Sequence, residues 1–267
     1  PLLIGTLSES RVQLAIFALF FASVWGVLFR FAILKSDAAW TVLLPSLFLT
    51  GIVGTAVAGL IEKVFVPLVF HGYVSALIGF ILVVGVVEEV VKIAPVVAYL
   101  LWKRSTASPM TIVLMGVFSG LGFAAFENLV YSQLSVSQAA EATVTAGEAG
   151  LVAGVQDAMV TTMLRSLSLV FCHAVWGGIF AYFLAAAYVA RRRWGAMLLV
   201  GLALTAILHG VYDWFTLIQP TLAAITAALA FVLFYSYAAK LRRTTHPTTA
   251  PAAQQPTPPL GEQGQIP

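Results

Sequence analysis

Seven stretches of this chain, roughly 12–34, 41–60, 74–101, 111–134, 163–190, 195–217 and 221–240, are each apolar over about the 20 residues that a bilayer-spanning helix needs. Inside hydrocarbon every backbone N–H and C=O must be satisfied within its own segment, so stretches like these are restricted to helices. The expected fold is therefore all-α: a polytopic transmembrane bundle of about seven helices. Composition agrees, since 60% of the 267 residues are hydrophobic and only 9% are charged, against about a quarter charged in soluble domains. The net charge of +3 is no sign of nucleic-acid binding, because the basic residues lie in short loops rather than on one face. Cys172, the single cysteine, sits in an apolar run and reads as a small core residue. No cleavable signal peptide is evident ahead of the first span.

Loop charge gives an orientation. Lys103 and Arg104 follow the third span, Arg191, Arg192 and Arg193 the fifth, and Lys240, Arg242 and Arg243 the seventh. Lys and Arg collect on the cytoplasmic side, so the N-terminus is expected outside and the C-terminus inside. Ser135 to Thr162, with Glu141, Glu148 and Asp157, is then an outer loop with some helix. Ile61 to Tyr73, which holds Pro67 and His71, reads as an interfacial or re-entrant piece. Residues 1–243 form the transmembrane domain, and 244–267, rich in Pro, Thr and Gln, read as a disordered cytoplasmic tail in which His246 has no catalytic part.

Against this background Glu88, Glu89, Glu127, His173 and His209 stand out, because ionisable groups in a span face a protein interior or water and usually mark function. At about 1.5 Å per residue, Glu88 lies about 22 Å from Lys103, Glu127 about 24–27 Å from the start of its helix, His173 about 27 Å from Arg191 and His209 about 24 Å from Arg193. Four helices thus put their polar groups within about one turn of the same depth, at or outward of the bilayer middle. Lys92, four residues after Glu88, can neutralise one carboxylate of the pair, while Glu89 points about 100° away and is free to do another job. Asn128 stands beside Glu127, and Asp213 shares a face with His209 as either a site residue or an interfacial one. Tyr131, Trp176, Tyr212 and Trp214 read as packing or interface aromatics.

Buried Glu and His together suit two routes to hydrolysis. A divalent metal such as zinc accepts both ligand types and leaves a Glu as base; alternatively, Glu and His activate water directly. Ser119 is a weaker candidate nucleophile, with Val117 standing where a Gly-x-Ser pattern needs glycine and Glu127 about two turns away.

Glu88-Glu89-Val-Val-Lys92, Phe123-Ala-Ala-Phe-Glu127-Asn128-Leu-Val-Tyr131, His173 with Gly177 and Gly178, and His209-Gly-Val-Tyr-Asp213 resemble the motif series of the PrsW family of intramembrane proteases, over about residues 80–215. The resemblance implies kinship with the CPBP and CAAX protease group. It also implies cleavage of a single-span membrane substrate such as an anti-sigma factor, on its extracytoplasmic side and in the inner (cytoplasmic) membrane. By position, Glu88 and Glu89 would be the catalytic pair and Glu127, His173 and His209 would complete the site, the last three as metal ligands if zinc is required. Relatives of the CAAX type tend to have His where Glu127 stands, which argues against a site shaped for prenylated tails. The competing expectations are a proton- or metal-ion transporter, or a non-catalytic membrane scaffold.

Overall fold

A computed structural model describes the backbone of residues 2–69, 71–103, 107–190 and 194–245, with side chains over most of the same ranges. The described residues are helical almost throughout. Helix α1 (Leu2–Val27) continues into a π-helical turn (Leu28–Ile33). Helices α2 (Trp40–Leu49) and α3 (Thr55–Val69) are joined through a π turn at Thr50–Gly54, and α4 (Tyr73–Gly79) and α5 (Val86–Lys103) through another at Phe80–Gly85. Then come α6 (Pro109–Ala190), α7 (Trp194–Ile218) and α8 (Pro220–Thr245). Seven helical stretches are long and apolar enough to cross a membrane, as expected from the sequence. Large apolar side chains such as Phe20, Leu60, Val74, Leu101 and Leu199 stay exposed on the outside of the bundle, which suits contact with lipid.

Three details differ from the expectations. Ile61 to Val69 is no re-entrant piece: it extends the second span as α3, Pro67 included, and the chain turns only at His71 and Gly72 before α4. The stretch 135–162 is helical rather than mostly loop, because it holds no proline and glycine interrupts it sparsely. The side chains of Glu141, Glu148 and Asp157 lie outside the described residues, as do Arg104, Arg191 to Arg193 and residues 246–267 of the expected tail. Thr244 and Thr245 close α8 instead of opening that tail.

Helix α6 carries two spans, Pro109–Leu134 and Met163–Ala190, and these are the most buried in the bundle. A straight helix of its 82 residues would reach about 120 Å. Instead the chain breaks at Gly147, whose φ of 63° lies in the left-handed region that glycine adopts without strain. The two halves then lie against each other so closely that a Cβ on Gly116 would stand 2.3 Å from the carbonyl oxygen of Gly177, and one on Gly120 2.1 Å from that of His173. Helices without a hydrophobic drive between them associate through such small-residue seams. A similar seam brings α7 onto the π turn before α5: a Cβ on Gly210 would lie 2.5 Å from the Ile81 nitrogen, and one on Gly85 2.7 Å from the Ala206 oxygen.

The two seams set His173 and His209 against the start of α5. Gly120→Ala would force backbone against backbone, where no side chain can yield. We expect it to lower stability by about 1–3 kcal/mol or more, read as an earlier thermal transition of the detergent-purified protein, while Gly59→Ala, which meets nothing within 4 Å, leaves the transition in place.

Candidate active site

Glu88 and Glu89 fall in the first turn of α5, directly after the π turn, where the extra residue per turn rotates the polar face toward the bundle interior. Lys92 Nζ donates to Glu88 Oε2 at 3.1 Å and to Glu89 Oε1 at 2.8 Å, and all three side chains are buried. The ammonium also sits 4.6 Å from the Phe123 ring centre and 5.9 Å from that of Trp176. One cation thus offsets two carboxylates in a low-dielectric interior, where an unpaired charge would be expelled.

The two glutamates are not equivalent. Glu89 is fully buried behind the site, and its Oε1 accepts from Lys92 and from His209 Nδ1 at 3.1 Å. An ionised carboxylate only accepts, so Nδ1 carries a proton and Nε2 of His209 is the nitrogen turned toward the cavity. That Nε2 stands 3.6 Å from Glu88 Oε2 and 3.3 Å from Asp213 Oδ2. Glu88, in contrast, lines a polar cavity of about 280 Å³ together with Glu62, Glu127, Arg165, His173 and His209.

His173 comes from the second half of α6. Its Nδ1 is 3.7 Å from Glu88 Oε2 and its Nε2 3.3 Å from Glu127 Oε2, yet neither nitrogen meets a partner at hydrogen-bonding geometry. A buried imidazole with both nitrogens unsatisfied demands an explanation. Glu88, His173 and His209 each offer a ligand atom, and these atoms lie within 4.8 Å of one another. The donor set of carboxylate and imidazole, the unsatisfied ring and the Glu89 carboxylate behind His209 all fit a divalent metal ion. Aromatic packing fixes the two rings: Trp176 stacks on His209 at 4.3 Å, and Phe123 lies 5.5 Å from His173.

Glu127 is held differently. Arg165 donates from Nη2 to Glu127 Oε1 at 2.9 Å and from Nε to Asn128 Oδ1 at 3.1 Å, while Asn128 Nδ2 donates to Ser166 Oγ at 3.4 Å. Glu127 Oε2 is left without a hydrogen-bond partner. The Arg165 guanidinium in turn lies 4.2 Å from the Tyr131 ring centre.

The structure therefore brings together Glu88, Glu89, Lys92, Glu127, Asn128, His173 and His209, and places Asp213 with them rather than at an outer boundary. Tyr131 and Trp176 pack against site residues. Ser119 is committed elsewhere: its hydroxyl donates to the Lys92 carbonyl and accepts from Thr50 Oγ1. His71 sits exposed at the turn, its backbone N–H bonded to Ser75 Oγ. Sequence reasoning missed Glu62 and Arg165. Both are charged residues within the spans as the structure bounds them, the kind of residue that usually marks function, although the sequence-derived second span ended at residue 60, short of Glu62.

Fold and site together define an integral membrane protein with a carboxylate–imidazole centre sunk among its transmembrane helices. A family model described as PrsW family intramembrane metalloprotease matches residues 38–239, and the chain belongs to that family. It is an intramembrane protease. No curated protein and no solved structure matches it.

Lys92→Met would leave two buried carboxylates without their cation. We expect a loss of about 3–5 kcal/mol, measured as a lowered unfolding midpoint in detergent. Substituting Gln for both Glu88 and Glu89 in the same chain should recover part of that loss, because no unpaired charge then remains.

Proposed function

We propose that this protease hydrolyses a peptide bond of a single-span, membrane-anchored polypeptide within the cavity bounded by Glu88, Glu127, His173 and His209. The observation that carries this reading is the convergence of one carboxylate and two imidazoles within 4.8 Å on a polar cavity inside the bilayer-spanning bundle. In this reading Glu88, His173 and His209 hold the metal, Glu88 taking the ligand place expected of Glu127. A divalent cation such as zinc, when bound there, lowers the pKa of adjacent water and polarises the scissile carbonyl.

The remaining work falls to the chain itself. Glu89 holds the His209 tautomer with Nε2 facing the cavity, and Lys92 keeps the Glu pair neutralised. Glu127, with Oε1 tied to Arg165 and Oε2 beside His173 Nε2 at 3.3 Å, accepts a proton from the attacking water. The water oxygen bonds to the carbonyl carbon, and the negative charge that develops on the carbonyl oxygen is stabilised by the Arg165 guanidinium. The C–N bond then breaks, the proton held by Glu127 passes to the leaving amine, and a carboxylic acid and an amine result, the acid's proton then passing to the amine to leave a carboxylate and an ammonium.

An anti-sigma-factor type of substrate, cleaved on its extracytoplasmic side in the cell's inner (cytoplasmic) membrane, is supported by family membership. The N-out, C-in orientation is supported by the basic residues Lys103, Lys240, Arg242 and Arg243, which close the third and seventh spans.

Metal analysis of detergent-purified protein alongside a cleavage assay tests this assignment. Wild-type protein is expected to hold about one zinc equivalent per chain, and Glu88→Gln, His173→Ala and His209→Ala to lose it. Glu127→Gln should keep the metal yet cleave about 10²–10⁴-fold more slowly. Active enzyme free of metal would overturn the metal assignment.

A further inference from the structure

A second cavity, of about 800 Å³, lies on the flank of the bundle between the second half of α6, the end of α7 and the first half of α8. Arg165, Leu169, Asp213 and Thr216 line both this groove and the catalytic cavity, so the two adjoin across these four side chains. Two other grooves flank α5, one of about 610 Å³ between Pro45 and Trp102 and one of about 320 Å³ between Val53 and Val91. Among the described residues, neither shares a lining residue with the catalytic cavity.

The wall that α8 contributes is built from Ala223, Ala224, Ala227 and Ala228. These fall at helical spacing on one face, and Ala224 and Ala228 are exposed. Small side chains let a neighbouring helix approach almost to backbone contact, which is how helices associate in lipid. At its inner end the groove changes character, from alanine to Ser168, Arg165 and Asp213.

That change fits one occupant in particular. A peptide bond inside a helix has its backbone groups bonded and wrapped by side chains, so the chain must unwind before water can reach a carbonyl. Unwound backbone at membrane depth is tolerated only where polar partners or water receive it. A lipid tail would fill the alanine wall but gain nothing from the polar end.

We propose that this groove is the docking site for the substrate's transmembrane helix: the helix lies along the alanine face of α8 and passes its unwound end between Arg165 and Asp213 into the catalytic cavity. This rests on the protease reading above. The docking site and the chemistry are separable, because one is read by contact and the other by turnover.

The probe is a designed single-span polypeptide, a Leu/Ala helix of about 20 residues followed by a glycine-containing extended stretch, reconstituted with the enzyme in vesicles of phosphatidylethanolamine and phosphatidylglycerol. A photo-crosslinking side chain at Ala228 should capture the polypeptide, and one at Ala98, in the grooves beside α5, should not. Ala224→Leu and Ala228→Leu should raise KM about tenfold, a factor that corresponds to about 1.4 kcal/mol of binding, with kcat little changed. Ala98→Leu should change neither. Capture at Ala98 instead of Ala228, capture of lipid alone at Ala228, or an unaltered KM in the filled groove would overturn the docking site. Crosslinking needs no turnover, so capture at Ala228 by an enzyme that cleaves nothing would sink the protease chemistry and leave the docking site standing.

Discussion

In hydrocarbon, a carboxylate persists only where a cation, an imidazole or water reaches it, and that restriction organises the interior of this bundle. Lys92 meets two glutamates at once, Arg165 meets a third, and His209 bridges toward Glu88, Glu89 and Asp213. None of these groups could be buried alone at tolerable cost. The helices that carry them are therefore tied to one another, and packing and chemistry rest on the same contacts.

The glycine seams make that network geometrically possible. With Gly116 against Gly177 and Gly120 against the His173 backbone, the two halves of α6 approach as closely as helices can, and the imidazole of one half reaches the carboxylate of the other. Gly85 and Gly210 perform the same service between the π turn and α7. Ion pairs and seams depend on each other: the seams hold the charged groups at contact distance, and the charges penalise any slip that would separate them.

Much of this was legible in the sequence. Long apolar runs located all seven spans, because span length is set by bilayer thickness. Helical rise alone placed Glu88, Glu127, His173 and His209 at a common depth, and the structure brings them together. The spacing of Glu88 and Lys92 foretold their ion pair, but the 100° offset of Glu89 did not part the two carboxylates, because Lys92 reaches Glu89 as well, at 2.8 Å. Less legible were features in which local composition misleads. Pro45 and Pro67 lie inside helices, so proline did not mark the end of the second span, and Glu62 was passed over in a stretch read as interfacial. Arg165 sits two residues into its span, where a cation is easily taken for a loop residue, although it reaches back 38 positions to Glu127. The π turns leave no simple periodic trace, since each inserts a residue that breaks the 3.6-residue pattern.

Trp176 gives the site a property of a different kind. Its indole is fully buried and lies nearly parallel to the His209 ring, 4.3 Å away, with the Lys92 ammonium close by. An indole so placed emits light whose colour and intensity follow the electric field of its neighbours. Trp176, one of the chain's six tryptophans, is thus an intrinsic optical probe seated beside the buried carboxylates and imidazoles, without any dye attached.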